Sequence, residues 1–218
     1  MKIAVMRRAA GFTLIEVLLA TVLLAAGLAL AFATLRAATA TSQHGEALAQ
    51  RNERMRAVEG FLRRRLASAL PIGFAIDEST GTPLRFMGEP GRMRFVADLP
   101  DYLGRGGPTL HDVSVVDNGD GARLVVALSM VLAGEVVDDR SARAPEPLVP
   151  DLDTASFQYR GLDDTNQLGA WSDRWDTAEK LPLQVRIDIR TADGVVWPPL
   201  VVALPQAASF GGGGGKFR

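Results

Sequence analysis

Residues 11–20 read Gly-Phe-Thr-Leu-Ile-Glu-Val-Leu-Leu-Ala. This stretch opens a largely apolar run over residues 12–35, which as a helix is about 36 Å long at ~1.5 Å per residue. Because a hydrocarbon core is ~30 Å thick, the run predicts a transmembrane helix. Residues 1–11 carry three basic residues and no acid, so this end is expected to stay in the cytoplasm. Everything after Arg36 is then expected on the other side of the membrane.

Glu16 distinguishes among three interpretations of this segment. They are a secretory signal peptide cleaved after small residues such as Ala29-Leu30-Ala31, an ordinary single-span anchor, and a prepilin-type leader. A carboxylate inside the hydrocarbon costs on the order of 2.5 kcal/mol or more, so it is rarely present without a function. Neither a signal peptide nor a plain anchor needs one, so Glu16 favours the third interpretation. The simpler alternative for Glu16 itself is that it reaches the headgroup layer from near the helix end.

Residues 11–20, placed directly after a short basic leader, resemble the N-terminal motif of the type IV pilin and pseudopilin superfamily. The cleavage-site glycine, the aromatic residue, the carboxylate and the apolar run all occur in order. The resemblance implies that a prepilin peptidase in the membrane cuts between Gly11 and Phe12, discarding residues 1–11, and that the new amine of Phe12 is methylated. In an assembling filament, the Glu16 carboxylate of an incoming subunit would pair with the amine of its neighbour, because a buried charge is strongly unfavourable until it is paired.

Residues 39–70 continue in a helix-compatible pattern, with apolar residues at three- and four-residue steps between arginines. Pro71 is expected to end the helix. One helix is therefore predicted over about residues 12–69, transmembrane over 12–35 and amphipathic and periplasmic over 36–70. Its cluster Arg63-Arg64-Arg65 is interpreted as a solvated or partner-facing side of the helix, since no interleaved aromatic residues suggest binding of single-stranded nucleic acid.

After Pro71 the pattern changes to short alternating strands and turns, which predicts an antiparallel β domain over residues 71–210. About seven to nine strands are expected, and the apolar side of the helix should pack on them, giving an α+β fold. The Gly-Glu-Pro-Gly turn at residues 88–91 and Asp193-Gly194 each predict a hairpin. The glycine-rich residues 211–218 predict a disordered tail. The clearest predicted strands are 84–87, 93–96, 112–117, 123–131, 155–160, 183–191 and 195–204.

The β domain carries a narrower resemblance, to the minor pseudopilin J family of type II secretion systems. The residues that carry it are Phe157-Gln158-Tyr159-Arg160, Trp171, Trp175, Leu181-Pro182 and the alternating Val185, Ile187 and Ile189. It implies a pseudopilin fold, a single-pass protein of a Gram-negative inner membrane, and a periplasmic domain that joins pseudopilins I, K and H at the pseudopilus tip. There it could meet the secreted protein or the outer-membrane secretin. Trp171 and Trp175 either contact a partner or cover a sheet edge.

A minor pilin of a type IV pilus, acting in adhesion or DNA uptake, is the alternative function. The chain has no cysteine, and many such pilins close a C-terminal loop with a disulfide. The absence of cysteine also excludes a disulfide framework and a catalytic thiol. The net charge of -1 and pI of about 6.1 argue against a nucleic-acid partner.

No catalytic motif for a serine hydrolase, a zinc protease or a phosphate-binding loop occurs in the sequence, so no enzymatic activity and no cofactor are expected. Asp117, Asn118 and Asp120 are weak candidates for a metal site, because closely spaced oxygen ligands suit calcium. The glutamate that would complete an EF-hand loop is missing, since the twelfth residue is Leu128. A turn between two strands explains this segment more simply.

Overall fold

The structure is a computed structural model that describes residues 11–77, 80–99, 107–117, 119, 121–137 and 144–206. Most of the predicted leader and the whole of the predicted tail, 211–218, lie outside the described residues, as does the side chain of His44. The chain divides into two compact units, Met1–Arg54 and Met55–Arg218.

The helix α1 spans Leu14–Ala67. The described part of the first unit consists mainly of this helix up to Arg54. By length and composition this helix could cross a membrane. Its threonines satisfy their hydroxyls locally: Thr21 donates to the carbonyl of Leu18 at 2.9 Å, and Thr34 donates to that of Ala31 at 2.9 Å. Such bonds let a hydroxyl lie on an apolar helix without an unpaired polar group.

The helix is two residues shorter at each end than predicted. Thr13 caps its start, as described below. At its end the hydroxyl of Ser68 donates to the carbonyls of Arg64 and Arg65, at 2.9 and 3.1 Å. The next two residues already pair with a strand, so the helix ends before Pro71 can stop it.

Eleven strands follow among the described residues, more than the seven to nine predicted. They are β1 (Ala69–Leu70), β2 (Ala75–Ile76), β3 (Pro83–Leu84), β4 (Phe86–Glu89), β5 (Arg92–Leu99), β6 (Gly107–Asp117), β7 (Ala122–Leu132), β8 (Glu135–Val136), β9 (Glu146–Arg160), β10 (Gln184–Thr191) and β11 (Leu200–Ala203).

Nine of the strands described form one antiparallel sheet in the order β1-β5-β6-β7-β9-β10-β11, with β4 beside β5 and β8 beside β7. The strands β2 and β3 form a separate small ladder. The predicted hairpins at Pro90-Gly91 and at Asp193-Gly194 are present, and Gly194 adopts the φ of 82° that its turn requires. The strand predicted over 195–204 is limited to β11, because Pro198 and Pro199 cannot donate to a ladder.

Both faces of the sheet are covered by apolar residues. The C-terminal turns of α1 lay Val58, Leu62 and Leu66 on one face, where they join the larger core. The other face packs against the segment that carries β2 and β3, around the fully buried Phe74. A long N-terminal apolar helix with an antiparallel sheet is the predicted α+β pseudopilin architecture, and this prediction is confirmed.

Candidate functional site

The N-terminal end of α1 is built on Thr13, which caps the helix. Its hydroxyl oxygen accepts a hydrogen bond from the N–H of Glu16 at 3.3 Å, and its carbonyl accepts one from the same N–H at 3.1 Å. Thr13 is not among the predicted site residues. The spacing Thr13-Leu14-Ile15-Glu16 is nevertheless that of a capping box, the signal that could have located it.

The cap leaves Gly11 and Phe12 outside the helix. Residues 11–13 have no regular structure, the Phe12 side chain is 83% exposed, and a Cβ built on Gly11 would meet nothing within 4 Å. Exposed, non-helical backbone is where proteases cut most readily. From Gly11 onward, where the structure describes the chain, the Gly11–Phe12 peptide bond is therefore accessible to a peptidase.

Glu16 lies in the first turn of α1 on an exposed, apolar surface. Neighbouring Ile15 and Leu19 are 75% and 61% exposed, and within the described part of the chain the Glu16 carboxylate has no hydrogen bond or ion pair. A carboxylate in the first turn interacts favourably with the free N–H groups there, by about 0.3–1 kcal/mol. Glu16 thus combines a position that stabilises the helix end with a charge available to a second molecule.

The loop over residues 161–183 is fastened to the sheet by Trp175. The backbone N–H of Trp175 donates to the carbonyl of Gly88 at 3.1 Å, and its indole N–H donates to the carbonyl of Lys180 at 2.8 Å. Its ring covers Gly161 so closely that a Cβ there would lie 2.7 Å from a ring carbon. These contacts fit the interpretation in which Trp175 covers a sheet edge.

Trp171 lies at the same end of β9, where the Arg160 guanidinium stacks 4.2 Å from the centre of its ring. A cation–π contact of this kind is worth about 0.5–1 kcal/mol at an exposed site. A role of either tryptophan in contacting a partner stays a prediction, because these are contacts within the chain.

Beneath this loop Tyr159 fills the space between β9 and β4. Its ring is fully buried and packs edge-on against Phe86, with the ring centres 5.6 Å apart. Its hydroxyl donates to the carbonyl of Glu89 at 2.9 Å, and burial raises the pKa of Tyr159 far above its usual range. A Cβ on Gly88 would lie 2.7 Å from two carbons of this ring, so the close approach of β4 and β9 requires glycine.

Of the predicted metal candidates, Asp117 is the last residue of β6. Asp117 accepts a hydrogen bond from the N–H of Gly119 at 2.9 Å, and Gly119 has a φ of 88°. Asn118 and Asp120 lie outside the described residues, so the candidate stays a prediction. In the regions that the structure describes, no group of three or more His, Asp or Glu side chains could hold a metal ion.

Two family models match the chain. The model of the type II secretion system protein J matches residues 33–202, and that of the prokaryotic N-terminal methylation motif matches residues 6–32. A curated relative, the type II secretion system protein J of Xanthomonas campestris pv. campestris, is 60% identical over 208 residues, covering 95% of this chain and 97% of the relative. The chain belongs to the type II secretion system protein J family.

The J-family chain is a minor pseudopilin of a type II secretion system, and its apolar N-terminal helix anchors it in the inner membrane. The family is a structural one. Neither comparison favours the type IV pilus alternative. The match to the methylation motif spans residues 6–32 and so includes Gly11, Phe12 and Glu16, whose roles stay predictions.

His111 of this pseudopilin is a buried polar residue that the sequence did not single out. Its ring is fully buried, stacks on Phe95 with 5.3 Å between ring centres, and places Nδ1 3.0 Å from the carbonyl of Thr109. Among the residues that the structure describes, its Nε2 has no hydrogen-bond partner. Burial lowers the pKa of His111 to about 4, so the ring is neutral near pH 7. This environment arises from the tertiary packing of α1 on the sheet, so no local sequence pattern predicts it.

Proposed function

We propose that this minor pseudopilin is cut after Gly11, methylated at Phe12, and incorporated into the pseudopilus tip by pairing Glu16 with the amine of a neighbouring subunit. The observation that carries the proposal is the Glu16 carboxylate, exposed on an apolar helix surface without a partner among the described residues. The methylation motif over residues 6–32 supports the processing steps. The role is structural, in support of the export of folded proteins across the outer membrane.

The energy of an unpaired carboxylate explains why such a residue favours assembly. At the centre of a bilayer it costs about 2.5–3.5 kcal/mol on insertion scales. A methylated amine retains its positive charge, and pairing with it offsets that cost. Once such a pair is buried, removing one partner costs about 3–5 kcal/mol. Glu16 therefore stabilises docked subunits relative to undocked ones, and its fixed distance from Phe12 sets the axial offset between neighbours.

The partners proposed for the tip are pseudopilins I, K and H, with the prepilin peptidase as the processing enzyme. The proposed boundaries are a leader at 1–11, a transmembrane helix at 12–35, a periplasmic helix at 36–70, a periplasmic sheet domain at 71–210 and a tail at 211–218. The basic charge of residues 1–11 supports a cytoplasmic leader and hence a periplasmic sheet domain. There the sheet domain can meet the secreted protein or the secretin.

The assembly role is tested by replacing Glu16 with alanine in the full-length chain, expressed in cells that carry the secretion system. We expect normal leader removal but at least a tenfold loss of co-purification with other pseudopilins, because the amine of the neighbour loses its partner. Thr21→Ala is the matched control, since Thr21 bonds only within its own helix. Unchanged co-purification and secretion in the Glu16→Ala strain would refute the pairing.

The processing role is tested by mass spectrometry of the mature N-terminus. We expect a peptide that begins with N-methylated Phe12, and full-length precursor in a Gly11→Val variant. Gly27→Ala, a glycine change inside α1 that meets nothing within 4 Å, should be processed normally. A mature terminus after Ala31 would instead support a signal peptide.

The tip partners are tested by purifying the detergent-solubilised full-length chain and identifying bound proteins. Recovery of pseudopilins I, K and H supports the proposed complex. Recovery of type IV pilus subunits alone would replace it with the alternative function.

A further inference from the structure

A cavity of about 380 Å³ lies between the loop over residues 161–183 and the end of the described chain. Leu162, Trp175 and Leu181 form its apolar wall, and Pro205 and Gln206 form another part of its lining. Leu162 is 55% exposed, so apolar surface on this wall lies open to solvent. Binding pockets in proteins begin at about 300 Å³, so the cavity is large enough to take a bulky side chain.

The chain leaves β11 along the wall of this cavity. The N–H of Leu204 donates to the carbonyl of Leu183 at 3.0 Å, and the side-chain amide of Gln206 donates to the carbonyl of Pro182 at 3.1 Å. Both bonds extend the antiparallel pairing of β10 with β11. The residues after Gln206 therefore start beside residues 179–181, which also line the cavity.

The sequence that follows supplies one bulky apolar side chain within reach. It reads Ala207-Ala208-Ser209-Phe210, and these residues lie outside the described ones. Four extended residues span at most about 14 Å. Because Gln206 already lines the cavity, this length allows Phe210 to turn back into it.

The charge of the cavity distinguishes Phe210 from Phe217, which also follows Gln206. Two basic residues and one acidic residue lie in the lining, namely Arg85, Lys180 and Glu179. Phe217 stands between Lys216 and Arg218, whereas residues 207–210 carry no charged side chain. Since like charges repel, the lining suits Phe210 better than Phe217.

We propose that this cavity binds Phe210 of the same chain, with its ring against Leu162 and Trp175. The inference goes beyond the proposed function and does not depend on it. A short tether holds the ring near the cavity at an effective concentration in the millimolar range, so that even a weak contact is populated. The bound ring connects the end of the sheet to the loop over residues 161–183.

The test is site-specific photo-crosslinking of the purified, detergent-solubilised full-length chain. A benzophenone amino acid replaces Phe210 in one preparation and Phe217 in the control, and crosslinked peptides are identified by mass spectrometry. We expect position 210 to crosslink within its own chain to residues 161–183, at a yield at least fivefold above that of position 217.

Three outcomes would overturn the inference. They are equal yields from the two positions, crosslinks of position 210 to parts of the chain that do not line the cavity, and crosslinks between different molecules only. The last of these would show that residues 207–210 contact another subunit instead.

A charge on the cavity wall gives a second measurement with the same crosslinker. Leu162→Asp should lower the yield from position 210 at least fivefold, because the aromatic ring would bury a carboxylate. Val196→Asp is the matched control, since Val196 is 63% exposed and lies outside the cavity lining. It should change the yield less than twofold, and equal yields from the two variants would contradict the proposed contact.

Thermal unfolding tests the contact without a crosslinker. Phe210→Ala should lower the Tm of the full-length chain by about 2–4 °C, because the apolar contact is lost. Phe210→Leu should recover most of this loss, and Phe217→Ala should lower Tm by less than about 1 °C. An unchanged Tm in Phe210→Ala would refute the inference and leave the proposed function standing.

Discussion

Replacing Gly88 with alanine should destabilise the sheet unit by about 2 kcal/mol. The new Cβ would lie 2.7 Å from two ring carbons of Tyr159, about 1 Å inside normal carbon–carbon contact. The ring cannot retreat freely, because it is fully buried against Phe86 and its hydroxyl is bonded to the carbonyl of Glu89.

The magnitude combines three contributions. Overpacking a core of this kind costs about 1–3 kcal/mol. A displaced Tyr159 hydroxyl weakens a hydrogen bond worth about 0.5–1.5 kcal/mol. Loss of glycine freedom in the unfolded chain offsets about 0.4–1 kcal/mol. For a unit of this size, a net loss of about 2 kcal/mol lowers Tm by roughly 4–8 °C.

Thermal unfolding of the detergent-solubilised full-length chain, followed by tryptophan fluorescence, measures this shift. All three tryptophans lie in the sheet unit, so the signal reports on that unit. Gly91→Ala is the matched control in the same hairpin, because its Cβ would meet only Val115, at 4.0 Å. It should change stability by no more than about 0.5 kcal/mol, as surface substitutions usually do. Equal Tm values for the two variants would refute the steric argument.

Two further predictions concern charge. The unfolded chain protonates His111 below about pH 6.5, whereas the folded chain keeps it neutral down to about pH 4; stability should therefore fall by up to about 3 kcal/mol as the pH drops through this window. His111→Phe should remove that part of the pH dependence in denaturant titrations, and an unchanged difference between pH 7 and 4 would contradict it. Asp112 accepts two hydrogen bonds from Arg92 and lies 3.5 Å from half-buried Arg94. Asp112→Asn should cost about 1–3 kcal/mol in the same titrations, whereas Asp153→Asn, which removes only a 4.0 Å exposed pair, should cost less than about 0.5 kcal/mol.

The membrane anchor and the hairpins could be predicted because a few neighbouring residues specify each of them. An apolar run, a carboxylate four residues after an aromatic residue, and a Gly-Glu-Pro-Gly turn are each visible within a few residues. The helix α1 starts two residues after the predicted position because Thr13 caps it, whereas the apolar run already begins at Phe12.

The ends of other elements depend on distant partners. The helix ends at Ala67 because Ala69 and Leu70 pair with Ala97 and Val96 of β5, a contact that no local pattern indicates. The strand β9 runs from Glu146, well before the predicted start at 155, because β7 pairs with its first half and β10 with its second.

The candidate functional residues also differ in whether the local sequence predicts them. Gly11, Phe12 and Glu16 were predictable, because a processing motif is a contiguous stretch of sequence. The exposure of Leu128 was not, because Leu128 alternates like a buried strand residue and only the position of α1 leaves it exposed. The close contacts of Gly88 with Tyr159 and Trp175 likewise join segments that are far apart in sequence.

Those contacts also constrain the order in which the domain folds. Gly88 cannot receive Tyr159 and Trp175 until the chain has been made as far as Trp175, because these two residues follow Gly88 by 71 and 87 positions. Closing such non-local contacts is slow, so we expect this closure to be a late step and its opening to be an early step of unfolding. A perturbation at Gly88 should then speed unfolding more than it slows folding. Until that step is complete, a newly made subunit lacks a finished sheet domain with which to join an assembly.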